Sequence, residues 1–184
     1  MGLPIEGSGD GGINEVQVDS KKRLYVLSIA TSIDGAINVA SGKVWSIPFE
    51  GLNPAGADDY VVYIKNTGDK VLHISDIRIM ADTAATQIKV NSVTGTAAGG
   101  SDVAPVSRTL GSAASPSATI QSGTDITGLT DNGTLFFIQC PVLLTEYHLS
   151  TSSRIRIPKG QAVGLSVETA TANITGVVSI VEEE

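Results

Sequence analysis

A chain of 184 residues, 41% of them hydrophobic and with a formal net charge of −7, fits one domain that should bury roughly 70% of the surface its unfolded form exposes. The acidic balance opposes binding to phosphate backbones, and the single basic cluster, Lys21, Lys22 and Arg23, is too small to reverse it, so no nucleic-acid partner is expected. No apolar run approaches the ~20 residues of a membrane helix, which predicts no membrane partner, and a lone cysteine, Cys140, excludes an internal disulfide, a CxxC redox pair and a cysteine-built zinc cage.

Residues 1–12 lack the basic start and apolar middle of a secretory signal, so export by that route is not expected. The run Gly7-Ser8-Gly9-Asp10-Gly11-Gly12 predicts a flexible arm over 1–12, with a single domain over 13–184. Strand signals follow from about Asn14. Leu24 to Ile29 is apolar on both faces, as in a covered strand, and Val44-Trp45-Ser46-Ile47 carries the only tryptophan, whose area suits the core better than an interface. Tyr60 to Lys65 reads as a further strand, closed by a turn at Asn66-Thr67-Gly68-Asp69. Beyond it Leu72 and Ile74 share one parity and Ile77 and Ile79 the other, which predicts a β-bulge near Ser75 and Asp76.

Ile88 and Val90 mark the next strand. Residues 94–124 are dominated by Gly, Ala, Ser, Thr and Pro and predict a long surface excursion. Leu135 to Cys140 returns to strand character. Arg154 to Ile157, the turn Pro158-Lys159-Gly160, and the alternation of Val163, Leu165 and Val167 against Ala162, Gly164, Ser166 and Glu168 together read as a hairpin with one wet face. Ile174 to Val181 is the final strand. No window shows a helical period, and eight to ten short strands predict an all-β chain, a jelly-roll-type antiparallel β-sandwich.

No motif for chemistry emerges. Gly7-x-Gly9-x-x-Gly12 matches the dinucleotide fingerprint formally, yet no strand precedes it and no helix follows. His73 and His148 fall in separate strands with no HxH or HExxH spacing and read as surface or cross-strand residues. Asp58 with Asp59, and Asp125 with Asp131, lack the spacing of a calcium loop and read as turn formers. Cys140 reads as a small buried hydrophobe, and Glu182 to Glu184 as a solvated end. The triplets at Asn132 and Asn173 carry no weight without secretion. No catalytic, cofactor-binding or metal residue is therefore singled out, no cofactor is expected, and the chain is not expected to be an enzyme.

Asn14-Glu15-Val16-Gln17-Val18-Asp19 with Arg23-Leu24-Tyr25-Val26, then Tyr63-Ile64-Lys65-Asn66-Thr67-Gly68-Asp69 with Leu72-His73-Ile74, resembles structural proteins of tailed bacteriophages. Val93-Thr94-Gly95-Thr96 and Ile157-Pro158-Lys159-Gly160-Gln161-Ala162-Val163-Gly164 extend the likeness. The resemblance implies a jelly-roll capsid decoration, or cement, protein on the outer surface of the virion. Its implied partners are the major capsid protein and further copies of itself, with a homotrimer preferred over a dimer, and the arm and the 94–124 excursion as hooks. It carries no individual functional residue over. The alternative is a receptor- or glycan-binding module of a head fibre or tail.

Overall fold

In a computed structural model of the chain, the structure describes residues 43–83, 85–142, 144–170 and 172–183, and of 150–154 the backbone alone. The chain divides into two units, 1–35 and 36–184, and every described residue belongs to the second. The expected arm over 1–12, the Lys21–Arg23 cluster and the Leu24–Ile29 strand lie outside the described residues.

Ten strands follow one another: β1 (Val44–Leu52), β2 (Asp59–Asn66), β3 (Leu72–Ala81), β4 (Thr86–Ala98), β5 (Ser101–Asp102), β6 (Val106–Ser107), β7 (Ala118–Cys140), β8 (Tyr147–Ile157), β9 (Ala162–Val167) and β10 (Ile174–Glu182). The described residues contain no helix, hence none long and apolar enough to cross a membrane. Two antiparallel five-stranded sheets form, in the orders β6-β1-β10-β3-β8 and β2-β9-β4-β7-β5. With the two-residue strands β5 and β6 set aside, consecutive strands alternate between the sheets until β4 leads to β7 within one sheet. That winding is the jelly roll the strand count predicts.

Val, Ile and Leu fill the space between the sheets. Trp45, Ile47 and Phe49 of β1 meet Val62 and Ile64 of β2, Ile77 and Ile79 of β3, Ile88 and Val90 of β4, Leu165 of β9 and Ile180 of β10 in one core. The parity change along β3 is accommodated as expected. Ile74 faces Ile180 and Asp76 faces Ser179, while the β8 ladder likewise shifts between Ile74 and Asp76. Ser75 is the extra residue of a bulge, and Leu72, Ile74, Ile77 and Ile79 all reach the core.

The outer face of the second sheet is not solvated where β9 crosses it. All six residues of β9 are buried, which overturns the expected wet face of Ala162, Gly164 and Ser166. The cause is a small second core in which Tyr63, Val93, Ile126 and Ala162 are joined by Tyr60, Ala97 and Leu129. It exists because the first half of β7 pairs with β2, from Tyr60–Ile126 to Asn66–Ala118, while its second half pairs with β4, from Gly95–Leu129 to Thr86–Cys140. With β9 hydrogen-bonded to both β2 and β4, those strands close into a ring.

The expected hairpin of β8 and β9 is also overturned. β8 pairs with β3 in the first sheet and β9 with β2 and β4 in the second, so Pro158-Lys159-Gly160 crosses between sheets. Gly160 takes φ +79°, and the bonds of the turn go to β2. Gly160 N donates to Asn66 O at 2.8 Å, and Asn66 N donates to Gln161 O at 3.1 Å. The buried Asn66 amide donates to Ile157 O at 2.8 Å and Lys70 O at 2.7 Å, and accepts from Gly68 N at 2.9 Å.

Candidate interaction surface

Of the expected excursion over 94–124, residues 94–98, 101–102 and 118–124 are strands of the second sheet, and residues 103–117 leave it, cross to the first and return. β4 runs on to Ala98 and β5 lies against Ser122 and Gln121. The chain then passes to the edge of the first sheet, where β6 pairs with Trp45 and Ser46 of β1. Val103 N bonds Ile120 O at 3.0 Å, Arg108 N bonds Val44 O at 2.9 Å, and Thr67 N bonds Ser117 O at 2.9 Å. The Trp45 indole N–H donates to Ala114 O at 3.0 Å, while its ring lies in the core at 2% exposure. Residues 103–117 thus form a strap over an edge strand that would otherwise offer unpaired backbone to solvent. Pro48, which has no N–H to give, occupies β1 beyond the covered stretch.

At the tip of the strap Ser112 N donates to Thr109 O at 3.1 Å, and Gly111 has φ +82°. This is the geometry of a type II turn, with Leu110 and Gly111 as its central residues. Leu110 stands 97% exposed on a backbone pinned on both sides, an apolar knob held out to solvent.

At the opposite edge no described residue seals the sandwich. Among the described residues β8 has one ladder partner, β3, and β7 beyond Thr127 has one, β4. Between these edges lies a cleft of about 390 Å³ walled by Leu135 and Phe136, by Ile155 and Ile157, and by Pro158 and Val163. Leu135 falls where the β4–β7 register shifts, between the pairs Val90–Phe136 and Asn91–Thr134, and is 44% exposed; Phe137 beside it is 59% exposed. Val142 and Leu144, in the connection to β8, are exposed as well.

Charge gathers beside this cleft. Arg156, a lining residue, contacts Glu183 Oε2 at 3.2 Å, and His73 Nε2 lies 3.4 Å from the same oxygen. Partial desolvation works to raise the Glu183 pKa, but His73 and Arg156 outweigh it and hold the carboxyl below its ordinary value. His148 contacts Asp76, which also accepts from Arg78 Nε at 3.0 Å. Both histidines are cross-strand residues of the β3–β8 ladder, His73 facing Arg156 and His148 facing Arg78.

The other residues weighed in the sequence take structural positions. Cys140 is buried in the main core, and burial pushes its thiol pKa up. Asp59 accepts from Gly56 N at 2.5 Å in the turn before β2, and Asp58 pairs with Lys89 at 2.7 Å. Asp131 accepts from Gly133 N at 2.7 Å inside β7, where the β4–β7 register shifts, and so is a strand residue and not the expected turn former. Asp125 is exposed. Asn173 is held by Asp82 through its backbone and its amide. The Gly7–Gly12 run lies outside the described residues. Among those described, no group of three or more His, Cys, Asp or Glu side chains is arranged to hold a metal ion. The strap and its knob are the features that sequence reasoning missed. The Thr109–Ser112 turn was there to be read in Leu110-Gly111, but the anchoring of its flanks was not.

No family model matches the chain and no curated protein matches it. A solved structure of the Israeli acute paralysis virus, a full particle heated to 63 degree, contains a chain to which this one is similar at 11% identity and a TM-score of 0.25, with 100% of this chain and 80% of that one covered. A likeness at that score carries no argument.

Proposed function

We propose that this chain is a non-enzymatic structural protein of a virion, which decorates the outer surface of a phage capsid and stabilises it by clamping neighbouring subunits of the major capsid protein. The observation that carries the reading is the distribution of exposed apolar side chains. They stand at separate places in the chain: Val106 and Leu110 on the strap, Leu135 and Phe137 on β7, and Val142 and Leu144 before β8. A clamp needs modest contacts with several neighbours, and many weak contacts made together hold a lattice without any one strong site. The jelly roll alone does not choose this role, since the same winding serves capsid proteins, lectins and cupins. The resemblance of Tyr63–Asp69 and Ile157–Gly164 to tailed-phage structural proteins supports the choice.

Co-sedimentation of the full chain with empty shells of the cognate capsid protein tests the reading. The expected result is saturable binding, together with a higher temperature of shell disruption. A chain that stays in the supernatant while the shells pellet, but binds on a glycan array, belongs to the receptor-binding class instead. Removal of residues 1–12 is expected to weaken shell binding while leaving the circular dichroism of the fold unchanged.

A further inference from the structure

We infer that the Leu110 turn of one copy seats in the β7–β8 cleft of the next, so that the chain associates with itself head to tail through two different surfaces. The inference deepens the capsid clamp proposed above and rests on that reading only for its biological setting. The two surfaces complement each other in shape and polarity. One is a single apolar side chain, 97% exposed, on a turn fixed by Ser112 N to Thr109 O and by Arg108 N to Val44 O. The other is a recess of about 390 Å³ with walls of Leu135, Phe136, Ile155, Ile157 and Val163.

Charge complements as well. The strap, residues 103–117, contains no acidic residue and presents the exposed Arg108 two positions before the knob. Glu183, beside the cleft, is exposed and is shared by Arg156 and His73. Arg108 is the one charged side chain of the strap that a seated knob can offer to this carboxylate.

Position selects the partner. The knob lies beyond β1 and the cleft beside β8, at opposite edges of the sheet ordered β6-β1-β10-β3-β8. They also share one row across the sheet, Val44 with Val181, Val181 with His73, and His73 with Arg156. A chain cannot place its own knob in its own cleft across the four strand spacings from β6 to β8, about 19 Å, whereas a second copy set beside the first can. Such a contact is heterologous, and it closes into a ring when the rotation between successive copies divides a full turn.

The test is the solution mass of the full chain by light scattering after size exclusion, for the unaltered protein, for Leu110→Asp and Leu135→Asp, and for an equimolar mixture of the two variants. Both sites are exposed, and an unchanged melting temperature and circular dichroism verify that each variant is folded. The expected results are a self-associated species larger than the monomer for the unaltered chain, monomers for each variant alone, and a one-to-one heterodimer in the mixture, where the intact knob of Leu135→Asp meets the intact cleft of Leu110→Asp. A monomeric unaltered chain up to about 1 mM, the upper range of weak association, overturns the inference. So does an oligomer indifferent to either variant, or a mixture that stays monomeric. Shell binding is read separately: a monomeric Leu110→Asp that still coats capsid shells keeps the cement reading, and an oligomer that ignores shells keeps the head-to-tail contact.

Discussion

Asn66 shows how much a single polar side chain governs here. Fully buried, it serves the carbonyls of Lys70 and Ile157 with its amide and the N–H of Gly68 with its oxygen, and so ties the end of β2 to the place where β8 leaves the first sheet. Asn66→Ala leaves those backbone groups unpaired in a dry site, and the expected loss is about 3 kcal/mol from two or more orphaned partners, read as a shifted midpoint in urea. A second joint, between β3 and β10 at the other end of β3, runs through Asp82. Its side-chain bond from Asn173, with a smaller backbone contribution, holds its pKa below the ordinary carboxylate range. A carboxyl lowered on folding contributes stability above its unfolded value, about pH 4, and loses it as pH falls through the lowered value. Asp82→Asn is therefore expected to flatten the acid limb of the stability profile measured by thermal melting between about pH 2 and 5. The sequence marks Asn66 as a turn opener, and it is one. That its amide also spans to Ile157 depends on two segments 91 positions apart, which no local pattern encodes.

At the scale of elements, the far part of the β4–β7 pair is the least forgiving. Gly95 and Gly128 both take positive φ, and a Cβ on Gly128 would stand 2.4 Å from Thr96 O. Gly128→Ala combines a left-handed backbone with a clash against main chain, mechanisms that individually cost about 1–3 kcal/mol. The expected outcome is loosening of the second core, seen as faster amide exchange in residues 93–98 and 126–131 than in β10. The composition of this region, rich in Gly, Thr and Ala, reads as loop because small residues suit loops. It forms strand because two backbones must approach closely there, and small residues permit that too. β9 was misjudged for a related reason. Its alternation of Val163, Leu165 and Val167 with Ala162, Gly164 and Ser166 looks half-wet, yet Gly164 is small because the Tyr60 ring lies 2.6 Å from where its Cβ would be. Turn chemistry at Pro158–Gly160 was legible as a reversal, but turn residues do not specify which sheet receives the chain.

For the whole molecule, the number of strands, their apolar spacing and the Ser75 bulge were enough to anticipate a jelly roll, because each depends on local periodicity. The ring closed by β7 was not, because it depends on a 23-residue strand changing partners midway. The two cores share β2, β4, β7 and β9, so neither is expected to melt alone. In a chain carrying Tyr25→Phe and Tyr147→Phe, emission from Trp45, in the first core, and absorbance of the two remaining tyrosines, Tyr60 and Tyr63, in the second, should report one common transition on heating; separated midpoints would show the cores to be independent. Mechanical load gives the strap a further meaning. Val44 lies beside Val181 in antiparallel register, so a pull through residues preceding Lys43 against the end of β10 would peel β1 away one pair at a time, the weakest direction for a ladder. The Arg108–Val44 and Trp45–Ala114 bonds fall on the first pairs to be loaded, and there the strap acts as a clasp against peeling.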